Sequence, residues 1–334
     1  MIDATAALSR SITWSSSKQT YYTARLLVDK DLVNDCYRAY GYFRWADDII
    51  DAPASFDAAA SGDAVASGDV SPQPSDEHIS FIRRQRKLID RLYRSERPDD
   101  LTLEEEMVAD LISHEKADKL HPGGISGLES FVRNFLVILE FDAHRRGRLI
   151  SQQELTWYSN CLGKSVTDGI QYFIGNGHPY PATENRYLAA TAAHITHMLR
   201  DMVLDIDDGY INIPREYLEA HSISPQDVDS LPFRAWVRDR VEKARQYFCE
   251  GKRYLDELDV LRCKIAGYWY CARFEGVLDT IERDGYILRA AYNERRTLST
   301  WLKMAWLSVS VTLRHIARRG RRDSWPLYER ESYG

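Results

Sequence analysis

The stretch "FRWADDIIDAP", residues 43–53, places Asp47, Asp48 and Asp51 in a segment otherwise crowded with apolar and aromatic side chains. On a helix Asp47 and Asp51 stand one turn apart on a shared face. Like charges at that spacing destabilise an isolated helix by about 0.2–0.5 kcal/mol. Tyr40, Tyr42, Phe43, Trp45, Ile49 and Ile50 deny the same carboxylates free access to water. The combination calls for a cation.

Far downstream, "MLRDMVLDIDDGYINIP", residues 198–214, repeats the device: Asp201 and Asp205 at i, i+4, followed by Asp207 and Asp208. Each row has an arginine just ahead of it, Arg44 and Arg200. A single DxxxD is ordinarily a solvated acidic helix face, but two copies with matched arginines and apolar flanks point elsewhere. Facing each other, they would offer hard oxygen ligands to Mg²⁺, which keeps several waters and takes one or two carboxylates plus phosphate oxygens. The arginines would add charge-assisted contacts to those phosphates. The residues alone therefore suggest helices that hold a diphosphate through Mg²⁺ between two acidic walls.

Around these rows, 334 residues with 44% hydrophobic content describe an ordinary globular chain. The net charge of -6 argues against nucleic acid, whose backbone needs a basic face. Cys36, Cys161, Cys249, Cys263 and Cys271 form no CxxC pair and show no zinc spacing, so reduced core cysteines in a cytoplasmic protein are expected. Neither a leader segment nor a long uninterrupted apolar run is visible.

Apolar residues recur at helical spacing over most of the chain. Leu128, Phe131, Val132, Phe135, Leu136 and Leu139 follow the i, i+3, i+4, i+7 template, which predicts a core helix. Similar patterns cover 31–51, 79–94, 102–114, 151–173, 185–206, 233–258, 264–283 and 296–318, with no period-2 strand among them. The expected fold is all-α, a single helical domain over 1–334. Residues 52–77, built mostly of Ala, Ser, Asp, Gly and Pro, cannot bury enough apolar surface to order themselves. A surface loop is expected there, either a passive insertion or a lid.

With these motifs in order, the chain resembles the squalene/phytoene synthase family. "YGYFRWADDIID" is similar to that family's first aspartate-rich motif and "HMLRDMVLDIDDGYINIP" to its second, while Ser17, Lys18, Tyr21, Arg25, Leu26 and Leu27 match its first helix. The resemblance implies a bundle of the isoprenoid-synthase type with a central cavity, and trans-prenyltransferase chemistry in which an allylic isoprenyl diphosphate is ionised. On that footing Asp47, Asp51, Asp201 and Asp205 would carry Mg²⁺, Arg44, Arg200 and Lys18 would hold diphosphate, and Tyr21, Tyr40 and Phe43 would wall the cavity.

The chain departs from the family where a glutamine and an asparagine usually precede the second motif: His194 and His197 stand there. They are either polar lining residues or a proton acceptor. Condensing two prenyl chains does not obviously call for an added histidine base, whereas an aromatic ring must lose a proton after attack. The family's small pair in the middle helix reads as Ser165 and Val166, beside Lys164, and Gln19 and Thr20 replace serine and phenylalanine. Two acceptors thus stay open, a second prenyl diphosphate or a small aromatic compound, with a terpene cyclase or a non-catalytic binding relative as alternatives. The position of Arg295 against the family's late arginine is also open. Last, "TLSTWLKMAWLSVSVTLRHIARRGRR" joins an apolar stripe to many cations; it is either a final core helix with a solvated basic end or a peripheral contact with an anionic membrane.

Overall fold

The computed structural model describes residues 3–52, 76–117, 126–175, 178–292 and 298–323. Within them lie twelve α-helices and no strand: α1 (Ala4–Ser16), α2 (Lys18–Leu27), α3 (Val33–Asp51), α4 (Asp76–Tyr93), α5 (Leu103–Ala117), α6 (Gly127–Arg145), α7 (Gln152–Phe173), α8 (Leu188–Asp207), α9 (Arg215–His221), α10 (Leu231–Glu257), α11 (Leu261–Arg283) and α12 (Leu298–Asp323). Both the all-α class and the predicted helical segments are observed. Most of the low-complexity stretch, 53–75, and Arg295 fall outside the described residues.

Local signals explain several boundaries. Ser151 and Glu154 form a reciprocal capping box at the start of α7, satisfying two backbone donors that a helix start leaves orphaned. Ser126, Ser230 and Ser17 cap α6, α10 and α2 through their side chains. The first helix, α1, was not signalled by periodicity. Asp3 caps it, and Arg38 of α3, 3% exposed, ties the two helices together by donating to Thr5 Oγ1 at 2.9 Å and pairing with Asp3, while Asp35 on its own helix accepts at 2.6 Å.

Packing closes α2, α3, α6, α7, α8 and α11 into a ring, each helix lying against the next and α11 returning to α2. The helices α1 and α5 back α3, α4 backs α5 and α6, α10 backs α8 and α11, and α12 lies outside α11. One continuous hydrophobic cluster runs from Tyr21 to Val311; fully buried members such as Tyr42, Phe233 and Phe248 each contribute about 1.5–3 kcal/mol. Two details differ from the sequence expectation. Leu128, Val132, Leu136 and Leu139 are buried, but Phe131 and Phe135 on the same stripe are only partly buried, because they face the space inside the ring. Cys249 is exposed, unlike the buried Cys263 and Cys271.

The ring narrows where α7 crosses α8. A Cβ added at Gly163 would come within 3.0 Å of the Thr191 amide nitrogen, a clearance that only glycine provides. This crossing sets how far α8 stands from α6 and α3.

Candidate active site

The first acidic row lies on the last two turns of α3, and the second on the last two turns of α8. These two helices share no extensive packing; they stand on different sides of the ring, with α6 and α7 linking them. On α3, Arg44 donates to Asp47 at 3.3 Å and also pairs with Asp48. Burial, and then the neighbouring charge of Asp51, push the Asp47 carboxyl up to about 7. Asp51 is raised by burial and by Asp142, against a hydrogen bond from Tyr210.

On α8, His194, His197, Asp201 and Asp205 occupy one face. Arg200 donates through two nitrogens to both oxygens of Asp201, and His197 Nε2 lies 3.0 Å from Asp201 Oδ2. Burial raises the Asp201 carboxyl, but hydrogen bonds from His197 and Arg200 outweigh it and hold the group well below the usual carboxylate range. Asp205 is pushed up to about 7 by burial and then by the charge of Asp201. Burial lowers both histidines, His194 to about 3. The His197 side chain is 47% exposed, and its ring packs edge-on against Phe274 with centroids 6.1 Å apart. His194 Nε2 is buried and has no hydrogen-bond partner among the described residues.

What joins the rows was not read from the sequence. The Tyr210 hydroxyl donates to Asp51 Oδ1 at 3.3 Å. Arg146, just past α6, donates to the Asp51 and Ala52 carbonyls at 3.3 and 3.2 Å and to the Asp208 carbonyl at 3.2 Å. One guanidinium thus satisfies the C-terminal carbonyls of both motif helices, where a cation is favoured by the helix dipoles. Beneath it, Asn212 donates to Asp205 at 3.0 Å and accepts from the buried Arg145 at 2.8 Å. Arg145 also donates to Asp142 at 2.6 Å, which in turn accepts from Tyr158 at 3.1 Å. Asp142 raises Asp47, Asp51 and Asp205 together; it is the charge common to both rows. Its only sequence signal was a carboxylate in an apolar helix.

Inside the ring is a cavity of about 360 Å³. Its walls include Tyr40, Phe43, Phe131 and Phe135, and Arg44, Asp47 and Arg273 also line it. Phe43 packs against Phe131 and Phe135 with ring centroids 5.0 and 4.0 Å apart. Arg273, unpredicted, is held below its ordinary value by burial. Gln19, Thr20 and Val166 line the same space, whereas Ser165 turns away to donate to the Phe131 carbonyl at 3.1 Å and Lys164 is exposed. Two expected residues sit elsewhere. Tyr21 is not a wall residue: it packs in a cluster with Trp14, Tyr22 and Tyr37, and its hydroxyl accepts from Arg10 at 3.0 Å. The polar neighbours Gln19 and Thr20 take the cavity face of α2, and the ring one position on is turned toward α1. Lys18 is exposed, its ammonium 5.4 Å from the Trp14 ring.

A larger cleft of about 540 Å³ between the α10–α11 turn and α12 is lined by both signs of charge. Lys264 donates to the Asp256 carbonyl at 2.9 Å, and nothing there belongs to either acidic row. Whether the rows fit Mg²⁺ can be judged from their donors. Among the described residues no three His, Cys, Asp or Glu side chains converge on one point. Mg²⁺ asks for less, one or two carboxylates with water and phosphate completing the shell. Two pairs of crowded carboxylates, with Asp47 and Asp205 pushed up to about 7, are a donor set of that kind, with charge left to neutralise.

A family model described as Squalene/phytoene synthase matches residues 15–302. The 15-cis-phytoene synthase of Synechocystis sp. is 30% identical over 184 residues, covering 50% of this chain and 54% of that protein. The phytoene synthase of Thermus thermophilus is 27% identical over 143 residues, covering 42% and 48%. The chain thus spans about half the length of the curated relatives it matches. The crystal structure of squalene synthase HpnC from Alicyclobacillus acidocaldarius aligns with TM-score 0.60 at 18% identity, covering 85% of this chain and 95% of that one. A dehydrosqualene synthase in complex with ligand aligns with TM-score 0.62 at 17% identity over 92% and 95%. At that identity the likeness establishes the fold.

Proposed function

Because the chain belongs to the squalene/phytoene synthase family, we propose that it is a Mg²⁺-dependent prenyltransferase, ionising an allylic isoprenyl diphosphate and joining the prenyl group to a second prenyl diphosphate. The observation that carries this is the tie between the rows: Tyr210 on Asp51, and Arg146 on the carbonyl ends of both helices. It supports one ionic site shared by Asp47, Asp51, Asp201 and Asp205. When bound there, Mg²⁺ supplies Lewis acidity and a template for the departing diphosphate. Arg44 and Arg273 at the cavity, with Arg200 beside Asp201, supply fixed positive charge where the leaving group gains negative charge. Tyr40, Phe43, Phe131 and Phe135 exclude water and offer ring faces to the allylic cation.

A second reading, a small aromatic acceptor, is favoured by one observation. His194 is half-buried and neutral, and its buried Nε2 has no hydrogen-bond partner among the described residues. A ring attacked by an allylic cation must release a proton, and a neutral imidazole on the acidic face of α8 is a suitable acceptor. Incubating the protein with Mg²⁺ and labelled farnesyl or geranylgeranyl diphosphate alone separates the two. A product of doubled chain length supports condensation; substrate left unconsumed until an aromatic acceptor is added replaces it with the second reading. If Asp47→Asn and Asp201→Asn leave Mg²⁺-dependent diphosphate binding unchanged, both readings fall.

A further inference from the structure

The helix α12 is amphipathic in an unusual sense, because the apolar stripe it leaves over faces outward. Leu302, Trp306, Val309, Leu313 and Ile316 are 64, 74, 51, 62 and 60% exposed, and their i, i+4, i+7, i+11, i+14 spacing sets them on one line. The stripe cannot be turned inward, since the opposite face is already engaged. Val311 is 1% exposed in the core, Ser308 accepts from Trp269 Nε1 at 2.9 Å, and Arg314 stacks 5.1 Å over Tyr268. A contiguous exposed apolar line of this length marks an interaction surface.

Charge selects the occupant. Between 298 and 322 the sequence carries Lys303, Arg314, Arg318, Arg319, Arg321 and Arg322 and no Asp or Glu. Asp256, on α10, takes up part of Arg314 at 3.9 Å and its carbonyl accepts from Arg318; Arg319 is exposed. A second copy laid along the stripe would find Lys303, Ser310, Ala317, Ala305, Thr312 and Arg319 at the flanking positions. None of these supplies the opposite charge that such pairs use to set partner and register. An anionic bilayer answers both features, taking the apolar line into its interface with the tryptophan at the boundary and drawing on the cations, each adding about fivefold to partitioning.

We propose that α12 is a peripheral docking helix that seats the outward face Leu302–Trp306–Val309–Leu313–Ile316 on an anionic lipid surface. The full chain is sedimented with vesicles of phosphatidylcholine, pure or with about one third phosphatidylglycerol. Binding is expected to the anionic vesicles, to be weak on the neutral ones, and to fall as salt is raised. The double variant Trp306→Ser/Leu313→Ser is expected to lose about tenfold or more in partitioning, with its thermal midpoint and its turnover of prenyl diphosphate in lipid-free buffer kept. Equal partitioning of variant and parent overturns the proposal, as does a parent that ignores anionic vesicles. A parent that is dimeric in solution while the variant is monomeric, with neither binding vesicles, reassigns the stripe to a second copy. None of these outcomes depends on which acceptor the cavity takes.

Discussion

Tyr210, five residues beyond the second acidic row, donates its hydroxyl to Asp51 Oδ1 of the first at 3.3 Å. The ring is 8% exposed, with the Arg145 and Arg146 guanidiniums 5.0 and 5.7 Å from its centroid. This contact opposes the burial that raises Asp51 and so favours the ionised carboxylate. Tyr210→Phe keeps the packed ring and removes the donor. We expect a loss of about 1 kcal/mol in stability and several-fold more Mg²⁺ needed for half-maximal turnover, checked by titrating activity with the metal.

Arg145 is a buried cation held by Asp142 and Asn212. Arg145→Met leaves Asp142 uncompensated beside Asp47, Asp51 and Asp205, which should cost about 3–5 kcal/mol. The companion change Asp142→Asn removes the orphaned charge and should recover part of the loss. Denaturant unfolding of the two single variants and the double reads the coupling directly.

The crossing at Gly163 is a test of how helix spacing sets the site. Gly163→Ala would push its Cβ against Thr191, and the strain of moving α8 should cost about 1–3 kcal/mol. Since His194, Asp201 and Asp205 ride on α8, turnover should fall by more than thermal stability alone accounts for. An alanine variant with parental kcat would show that the ring tolerates a wider crossing.

The metal-free protein should show an inverted pH dependence. Asp47 and Asp205 sit near 7 when folded, far above the carboxylate value of the unfolded chain. Groups raised in this way bind more protons when folded, so their contribution is complete below the unfolded pKa and is lost as pH rises through about 7. The midpoint of metal-free protein should therefore drop progressively between about pH 4 and about pH 8, and added Mg²⁺ should restore it at the upper end. Asp47→Asn/Asp205→Asn should flatten the profile. A metal-free midpoint that rises across the same window would count against crowded carboxylates.

The amino-acid sequence by itself determined the all-α class and the helix spacing of both acidic rows, because each depends on periodicities a few residues long. Ser151 with Glu154 shows the same locality at a helix start. It also marked Tyr40 and Phe43, which do line the cavity, but it could not tell them from Tyr21, since a ring at helical spacing carries no label for which neighbour it will face. Only the tertiary structure decided that Arg146 spans the ends of α3 and α8, that Asp142 is the charge shared by both rows, and that Arg273 reaches the cavity. Those relations join residues distant in the chain, and the packing of the ring fixes them. The same holds for α12: its apolar repeat is written in the sequence, but which of its faces α11 covers is a matter of tertiary packing.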